Sequence, residues 1–494
     1  MAYDPSCLPD DPEQLKGIIL SLHGTIDKLS DEVRRLAMLM EKFFGKSSEK
    51  LPKEKQVEAP EIPTPKQKRT KNGGGGRNEI PADLPRIEQR IDVPEEERTC
   101  SCCGKSFNCI GEERSEQLHF KPMELYVVVQ ILMKYMAACH CSDKRSITAE
   151  SPIRPIDKGI ASTSLLSIIA VMKYLDHLPL ARQATQLFRR SGVELSQSSM
   201  CRWMGNVADL LSPLYELMHE RVLESAVLQV DATSAKYLDP LVKGKAKNGT
   251  VWGYNGDAEH PYVLYDFLTH GRRDGPEAFL RQYHAYLQCD AHSVYDQIFA
   301  PPDAARPAPT EVGCWAHARR KFYESRERNK EAFVVLDLIG NVYKLERKLK
   351  KATAEEKYLS RQQYAMPILD DLFHWCHEQH NTFLPKDPLS GAIQYAINHE
   401  AALRRYCDVG HLEIDNNAAE RILRLIAIGR KNWLFYGSER GGRTGAVLHS
   451  VLASAKRNGL SEFAYLCDVL DRLADLGSEG ELHDLLPDRW TPKS

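Results

Sequence analysis

No sign of charge dominates the 494-residue sequence, in which 66 Lys and Arg stand against 68 Asp and Glu for a formal net charge of −2. That balance excludes a histone-like polycation and an acidic solvating chain, but not a nucleic-acid partner met by locally clustered charge. Long apolar runs are also missing. Nothing approaches the ~18 consecutive apolar residues of a membrane-crossing helix, and Leu165–Met172 is the sort of short run that core helices contain. Met1–Glu13 lacks the basic and apolar regions of a secretion signal. The 13 cysteines are an odd count, so a disulfide framework is not expected. No Walker-type phosphate loop appears in the central or C-terminal portions, which leaves ATP-driven chemistry without support. A cytoplasmic protein without membrane contact is therefore expected. At 42% hydrophobic and 27% charged residues the chain is ordinary globular protein. Its length suits roughly two to four domains.

What is present begins with a heptad strip. Leu15, Ile19, Leu22, Ile26, Leu29, Val33, Leu36, Met40 and Phe43 alternate by four and three, an a/d seam of about four heptads. The spacing predicts a coiled-coil helix over 12–45 through which the chain self-associates, although Gly17 and Gly24 weaken it. Residues 46–85 turn to Lys, Glu, Pro and Gly, with a basic cluster at Lys66, Lys68, Arg69 and Lys71. Such a composition buries too little apolar surface to order itself and reads as a linker.

The cysteines cluster within 86–150. Cys100 and Cys103 form one pair, Cys139 and Cys141 a second about 35 residues later, a pattern that suits tetrahedral structural Zn²⁺ on two knuckles. The second pair is one residue tighter than usual, and Cys102, Cys109 and His140 are rival ligands.

Residues 151–222 read as helices. One runs over Leu180–Arg190 and stops near Gly192; another starts after Leu195 with Ser196 as cap. Helix, glycine turn and capped helix make a helix-turn-helix pattern, in which Gln197, Ser198, Ser199 and Arg202 would face a DNA groove. Helix pairs of this kind also occur without touching DNA.

After Ala226 the period becomes strand-like. Two apolar strands, Ala226–Val230 and Ala285–Cys289, are each expected to end on an aspartate, Asp231 and Asp290. A strand over Glu311–Trp315 precedes His317 and the basic run Arg319, Arg320 and Lys321. Strands with carboxylates at their ends are how an RNase H-like sheet is laid out. Phosphoryl transfer by two Mg²⁺ ions needs hard oxygen ligands, one of them bridging. Asp231 is the expected bridge, and the third acid is sought on a helix packed on the sheet. Amphipathic helices fill 325–410 as an insertion. Glu413, Asp415 and Glu420 then compete for the third place, with Asp415 or Asn416 as helix cap and Arg424 one turn past Glu420. Arg430, Lys431 and Trp433 follow, a basic and aromatic stretch suited to gripping phosphates or stacking on bases.

With these residues in view, the chain resembles the insertion sequence sixty-six family of bacterial DDE transposases. The likeness is carried in order by Phe44–Lys50, Leu84–Arg86, Lys173–Pro179, Val230–Thr233, Cys314–Phe322, Asp415–Arg421, Gly429–Phe435 and Lys456–Gly459. The resemblance implies a catalytic triad of Asp231, Asp290 and Glu420 on Mg²⁺, for which Mn²⁺ can substitute, and structural Zn²⁺ on the cysteine segment. It also implies recognition of element ends or target by the N-terminal half. Many DDE enzymes carry Lys or Arg seven residues after the catalytic Glu. Ala427 stands there in this chain, which turns the phosphate-contact role to Arg424.

The expected architecture is multidomain, α/β and α. It comprises the coiled coil, the linker, the zinc-binding segment and the helix-turn-helix region. An RNase H-like catalytic domain follows over 223–324 and 411–445, interrupted by the helical insertion, with a helical C-terminus over 446–494. The expected activity is cleavage of element ends and their joining to target DNA by transesterification. His317, Arg319 and Arg320 are expected on DNA phosphates. Expected partners are double-stranded DNA, further copies of the chain and accessory proteins of the same element, and the expected location is the nucleoid. A non-catalytic DNA-binding regulator and an unrelated RNase H-like nuclease are the competing readings.

Overall fold

The computed structural model describes residues 159–239, 245–300, 308–476 and 479–492, with short pieces between 125 and 156. The chain divides into two units, Met1–Tyr126 and Val127–Ser494, and every element named below belongs to the second. The heptad strip, the basic linker and Cys100, Cys103, Cys139 and Cys141 lie outside the described residues. Within the cysteine segment, β1 (Lys134–Met136) and β2 (Ser146–Thr148) pair antiparallel, Lys134 opposite Thr148.

Three helices come next. α1 (Thr163–Tyr174) is capped by Ser162, and α2 (Leu180–Ser191) closes on Gly192 at φ 69°. That left-handed value is easily adopted only by a residue without Cβ. α3 starts at Gln197, where the Ser196 hydroxyl accepts from the Ser199 N–H at 3.1 Å. It then runs 26 residues to Val222, through Pro213, burying Met200, Trp203, Met204, Val207, Leu211 and Leu214 along one face.

The centre of the unit is a five-stranded sheet of order β5-β4-β3-β6-β7. β3 (Val227–Leu238), β4 (Ala246–Asn255) and β5 (Val263–Leu268) are antiparallel, whereas β6 (Tyr286–Gln288) and β7 (Thr310–Val312) run parallel to β3. α4 (Asp274–Phe279) lies between β5 and β6, and α5 (Asp296–Phe299) between β6 and β7. The strand expected to end at Asp231 continues for seven more residues, so Asp231 sits inside β3. The reason is the neighbour. Along β3, β6 pairs only with Val227–Gln229, and that flanked stretch is continuously apolar or buried. Beyond it β3 pairs with β4 on one side, and its pattern changes to alternation, with Ala235 and Tyr237 buried and Ser234 and Lys236 exposed. The strand expected over Glu311–Trp315 is also shifted. β7 ends at Val312, and Trp315 opens α6 (Trp315–Ser325), its indole N–H bonded to the Leu403 carbonyl at 2.8 Å.

α7 (Ala332–Lys348), α8 (Ala354–Ser360), a π turn (Arg361–Ala365), α9 (Met366–Gln379), α10 (Pro388–Asn398) and α11 (Glu400–Arg404) follow. At their centre Arg361 is fully buried. Its guanidinium grips Glu346 at 2.8 and 2.9 Å and donates to the carbonyls of Tyr406 and Val409.

α12 (Asn417–Trp433) and α13 (Glu439–Arg457) return to the sheet, followed by α14 (Glu462–Ala474) and α15 (Glu479–His483). Leu423 and Ile426 from α12 and Ala446 from α13 pack with Tyr237, Val251, Tyr265 and Phe267 over one face of β3–β5. Burying a Leu or Ile side chain this way contributes about 1.5–3 kcal/mol and holds α12 on the strand that carries Asp231. Among the described residues no helix is long and apolar enough to cross a membrane, and Cys201, Cys289, Cys314, Cys376, Cys407 and Cys467 are free thiols.

Candidate active site

Asp231 lies opposite Gly253 in the β3–β4 ladder and accepts the Ala232 N–H at 2.7 Å. Asp290 follows the end of β6, and Glu420 stands in the first turn of α12. The Asp231 carboxyl is pushed up to about 6. Burial is the largest cause, the negative charges of Asp290 and Glu420 add to it, and the Ala232 bond and Arg320 oppose it. Asp231 therefore lies within the field of two acids that are far from it in sequence.

The two rivals for the third place are occupied elsewhere. Glu413 is exposed and lies 3.6 Å from the Lys357 ammonium. Asp415 accepts from the Asn417 N–H at 3.1 Å and from the Tyr343 hydroxyl at 2.9 Å. Asn416 occupies the cap position of α12, but its side chain does not cap. It is fully buried and donates to the Val230 carbonyl at 2.7 Å, while its N–H points to the Cys314 sulfur.

A row of buried amides supports this loop, and sequence reasoning passed over it. The Arg457 guanidinium bonds Asn255 Oδ1 at 2.5 Å, and Asn255 Nδ2 donates to Gln229 Oε1 at 3.1 Å. Gln229 Nε2 donates to Gln288 Oε1 at 2.8 Å, and Gln288 Nε2 to the Glu413 carbonyl at 2.7 Å. The signal was available as carboxamides inside apolar strand segments, since buried polar groups are costly unless paired. Gly253 allows the close approach of α12. A Cβ there would lie 2.9 Å from Leu423 Cδ2 and 3.2 Å from Ile422 Cδ1.

The basic residues divide into two groups. His317 from α6 is half-buried, with Nε2 3.8 Å from Glu420 Oε1 and Nδ1 buried without a partner. Arg320 reaches Asp231 with its charge, and Arg319 lies over the Tyr323 ring. Arg430 bonds Thr233 Oγ1 at 3.0 Å and the Ser234 carbonyl, so it ties α12 to β3. Arg424 and Lys431 are exposed on α12. Trp433 is half-buried, its ring 4.5 Å from that of Tyr436. Ser198 and Arg202 are exposed at the start of α3, a different element from those that carry the acids, and Ser199 is half-buried with its hydroxyl on Ser196.

Among the described residues no three His, Cys, Asp or Glu side chains close round a point where a metal ion would sit. The donor set nonetheless suits a hard divalent cation, because three carboxylates supply only oxygen and two of them raise the third. A cation would relieve that repulsion.

Residues 158–444 match the family described as transposase IS66 family. Residues 97–142 match the zinc-finger binding domain of transposase IS66, and 450–487 the IS66 C-terminal element. Residues 34–88 match a family described as transposase C of IS166 homeodomain. The uncharacterized protein y4jD of Sinorhizobium fredii (strain NBRC 101917 / NGR234) is 32% identical over 422 residues, covering 83% of this chain and 81% of its own. The uncharacterized protein y4qI of the same strain is 33% identical over 428 residues, covering 84% and 78%.

Proposed function

From the premise that the chain belongs to the IS66 transposase family, we propose that it cleaves element ends and joins them to target DNA, with Asp231, Asp290 and Glu420 as the metal-holding triad. One observation carries the proposal: Asp231 feels both of the other carboxylates although they arrive from a strand end and a helix. The sheet order supports an RNase H-like reading, three antiparallel strands extended by two parallel ones with the acid on the central strand.

Two Mg²⁺ ions, when bound, would activate the attacking water or 3′-hydroxyl and stabilise the leaving oxygen. The chain's own contribution is positional. β3 supplies a rigid base for Asp231, and the first turn of α12 carries Glu420. His317 stands beside Glu420, its Nε2 3.8 Å from Oε1. Exposed Arg424 and Lys431 are placed on the same helix for phosphates. Ser198 and Arg202 are the candidate groove contacts of α3. The zinc-finger match agrees with structural Zn²⁺, which we assign to Cys100, Cys103, Cys139 and Cys141. Self-association through 12–45 completes the proposal.

The test is Asp231→Asn with Mg²⁺ on a duplex carrying the terminal repeat beside the coding region. Nicking and strand transfer are expected to vanish while binding persists. A variant that still nicks would sink the triad. Nicking without joined product from the unaltered protein would favour a nuclease.

A further inference from the structure

The corner that ends α12 turns two apolar side chains away from the core. Leu434 adopts φ 63° and ψ −43°, a strained conformation for a residue with a branched side chain. The Leu434 side chain itself takes no part in the core, being 64% exposed, and its neighbour Phe435 is 40% exposed. The backbone is nonetheless held on both sides. Leu434 N–H donates to the Arg430 carbonyl at 2.9 Å and Tyr436 N–H to the Lys236 carbonyl at 2.8 Å, while the Leu238 N–H returns to the Tyr436 carbonyl at 3.0 Å. Tyr436 is buried in the cluster over β3–β5, with Trp433 packed against it. The aromatic residues on either side are therefore anchors, and the two side chains between them stand out on a fixed corner. Two cations lie beside it. Lys431 is exposed one turn back, and Arg182 from α2 bonds Asn432 Oδ1 at 3.3 Å.

We propose that Leu434 and Phe435 form a wedge that enters duplex DNA between adjacent base pairs and unstacks them. The proposal rests on the reading of the chain as a DNA transposase and adds how the duplex is deformed. An apolar pair on a rigid corner, flanked by Lys431 and Arg182, has the chemistry of side chains that pry base steps apart, with the phosphates held by the flanking charge. A pre-set corner loses little freedom on insertion. Its position is also defined. Tyr436 joins β3 at Lys236, about five residues past Asp231, or roughly 17 Å at ~3.4 Å per residue. At ~3.4 Å per base pair a duplex following the strand would be opened on the order of five steps from the cut.

The experiment uses full-length protein carrying Asp231→Asn, without divalent cation, on terminal-repeat duplexes with 2-aminopurine placed at successive steps on either side of the cut. Binding should raise the fluorescence several-fold at one step. Leu434→Ala with Phe435→Ala should abolish the rise while affinity stays within about threefold, since phosphate contacts supply most of it. Leu434→Gly, which suits the backbone, should melt no lower than the parent and also lose the rise. An unchanged rise in the double variant, or no rise at any step in a bound complex, would overturn the wedge. So would an unchanged rise with an altered sedimentation coefficient, which would make the corner a contact between copies. The readout needs no cleavage. If Asp231→Asn protein nicks DNA but the fluorescence pattern holds, the triad fails and the wedge stands.

Discussion

Asn416 donates to the Val230 carbonyl at 2.7 Å, joining the residue before α12 to the residue before Asp231 across 186 positions of sequence. One bond thus ties the segment that carries Glu420 to the strand that carries Asp231. Asn416→Ala leaves a buried carbonyl unpaired, which costs about 1–3 kcal/mol. It also frees the first turn of α12. Misplacement of about 1 Å can lower a rate roughly 10²-fold, so single-turnover cleavage should fall far more than the melting temperature. A folded variant cutting at the parental rate would show that the bond does not position Glu420.

Gly253→Ala acts on the same geometry from beneath. The added methyl meets Leu423 Cδ2 at 2.9 Å, and overpacking of this kind costs about 1–3 kcal/mol. Cleavage should drop, and a second change, Leu423→Val, should recover part of it by making room. No recovery in the double variant would mean that the helix is not what the methyl displaces.

Arg361→Met should be the most destabilising single change in the helices between α6 and α12. It strands the Glu346 carboxylate, whose side chain is 10% exposed, and leaving a buried charge unpaired costs about 3–5 kcal/mol. Adding Glu346→Gln should return part of that in urea unfolding. Equal midpoints for the single and double variants would contradict the pairing.

His449 makes stability depend on acid. It is 1% exposed on α13, against the rings of Tyr174 and Tyr265, and its pKa is lowered to about 3. Burial is the chief cause, with Lys173 and His177 adding to it. The unfolded chain takes up a proton below about 6.5 while the folded chain does not, so stability is full above that pH and declines as pH falls toward 3. Between pH 7 and 5 the loss from this residue should be about 2 kcal/mol. His449→Leu should show a smaller difference between urea midpoints at those two pH values. An identical difference would rule out His449 as the source.

Much of this architecture could be read from residue pattern, for reasons visible at particular positions. Gly192 and Ser196 mark the turn before α3 because a left-handed stop and a hydroxyl cap are local needs. Asp231 and Asp290 stand out in the sequence as carboxylates beside apolar strands, whereas Glu420 is set above Glu413 and Asp415 only by the family resemblance; the charges of Asp290 and Glu420 both raise the Asp231 carboxyl. The length of β3 was not foreseeable, because its apolar run stops where β6 stops pairing, which is a property of a neighbour. Gln229, Gln288 and Asn255 were overlooked since each alone looks like a tolerated polar residue, and only their tertiary contact makes them a row. At the end of α12 the pattern drew attention to Trp433. Which ring is covered depends on Tyr436 joining β3, and the outward residues are Leu434 and Phe435.

The bond between Asn416 and Val230 has a consequence in time. During synthesis at ~5–20 residues per second, the strand bearing Asp231 leaves the ribosome roughly 10–40 s before its distant partner. The amide row ends on Arg457, later still. A growing chain thus passes through a long interval with α2 and α3 already made and the third acid not yet attached. On the proposed reading, the chain cannot cut DNA during that interval. On the same reading, a gene copy interrupted before Asn416 is expected to yield a product that occupies the DNA without breaking it.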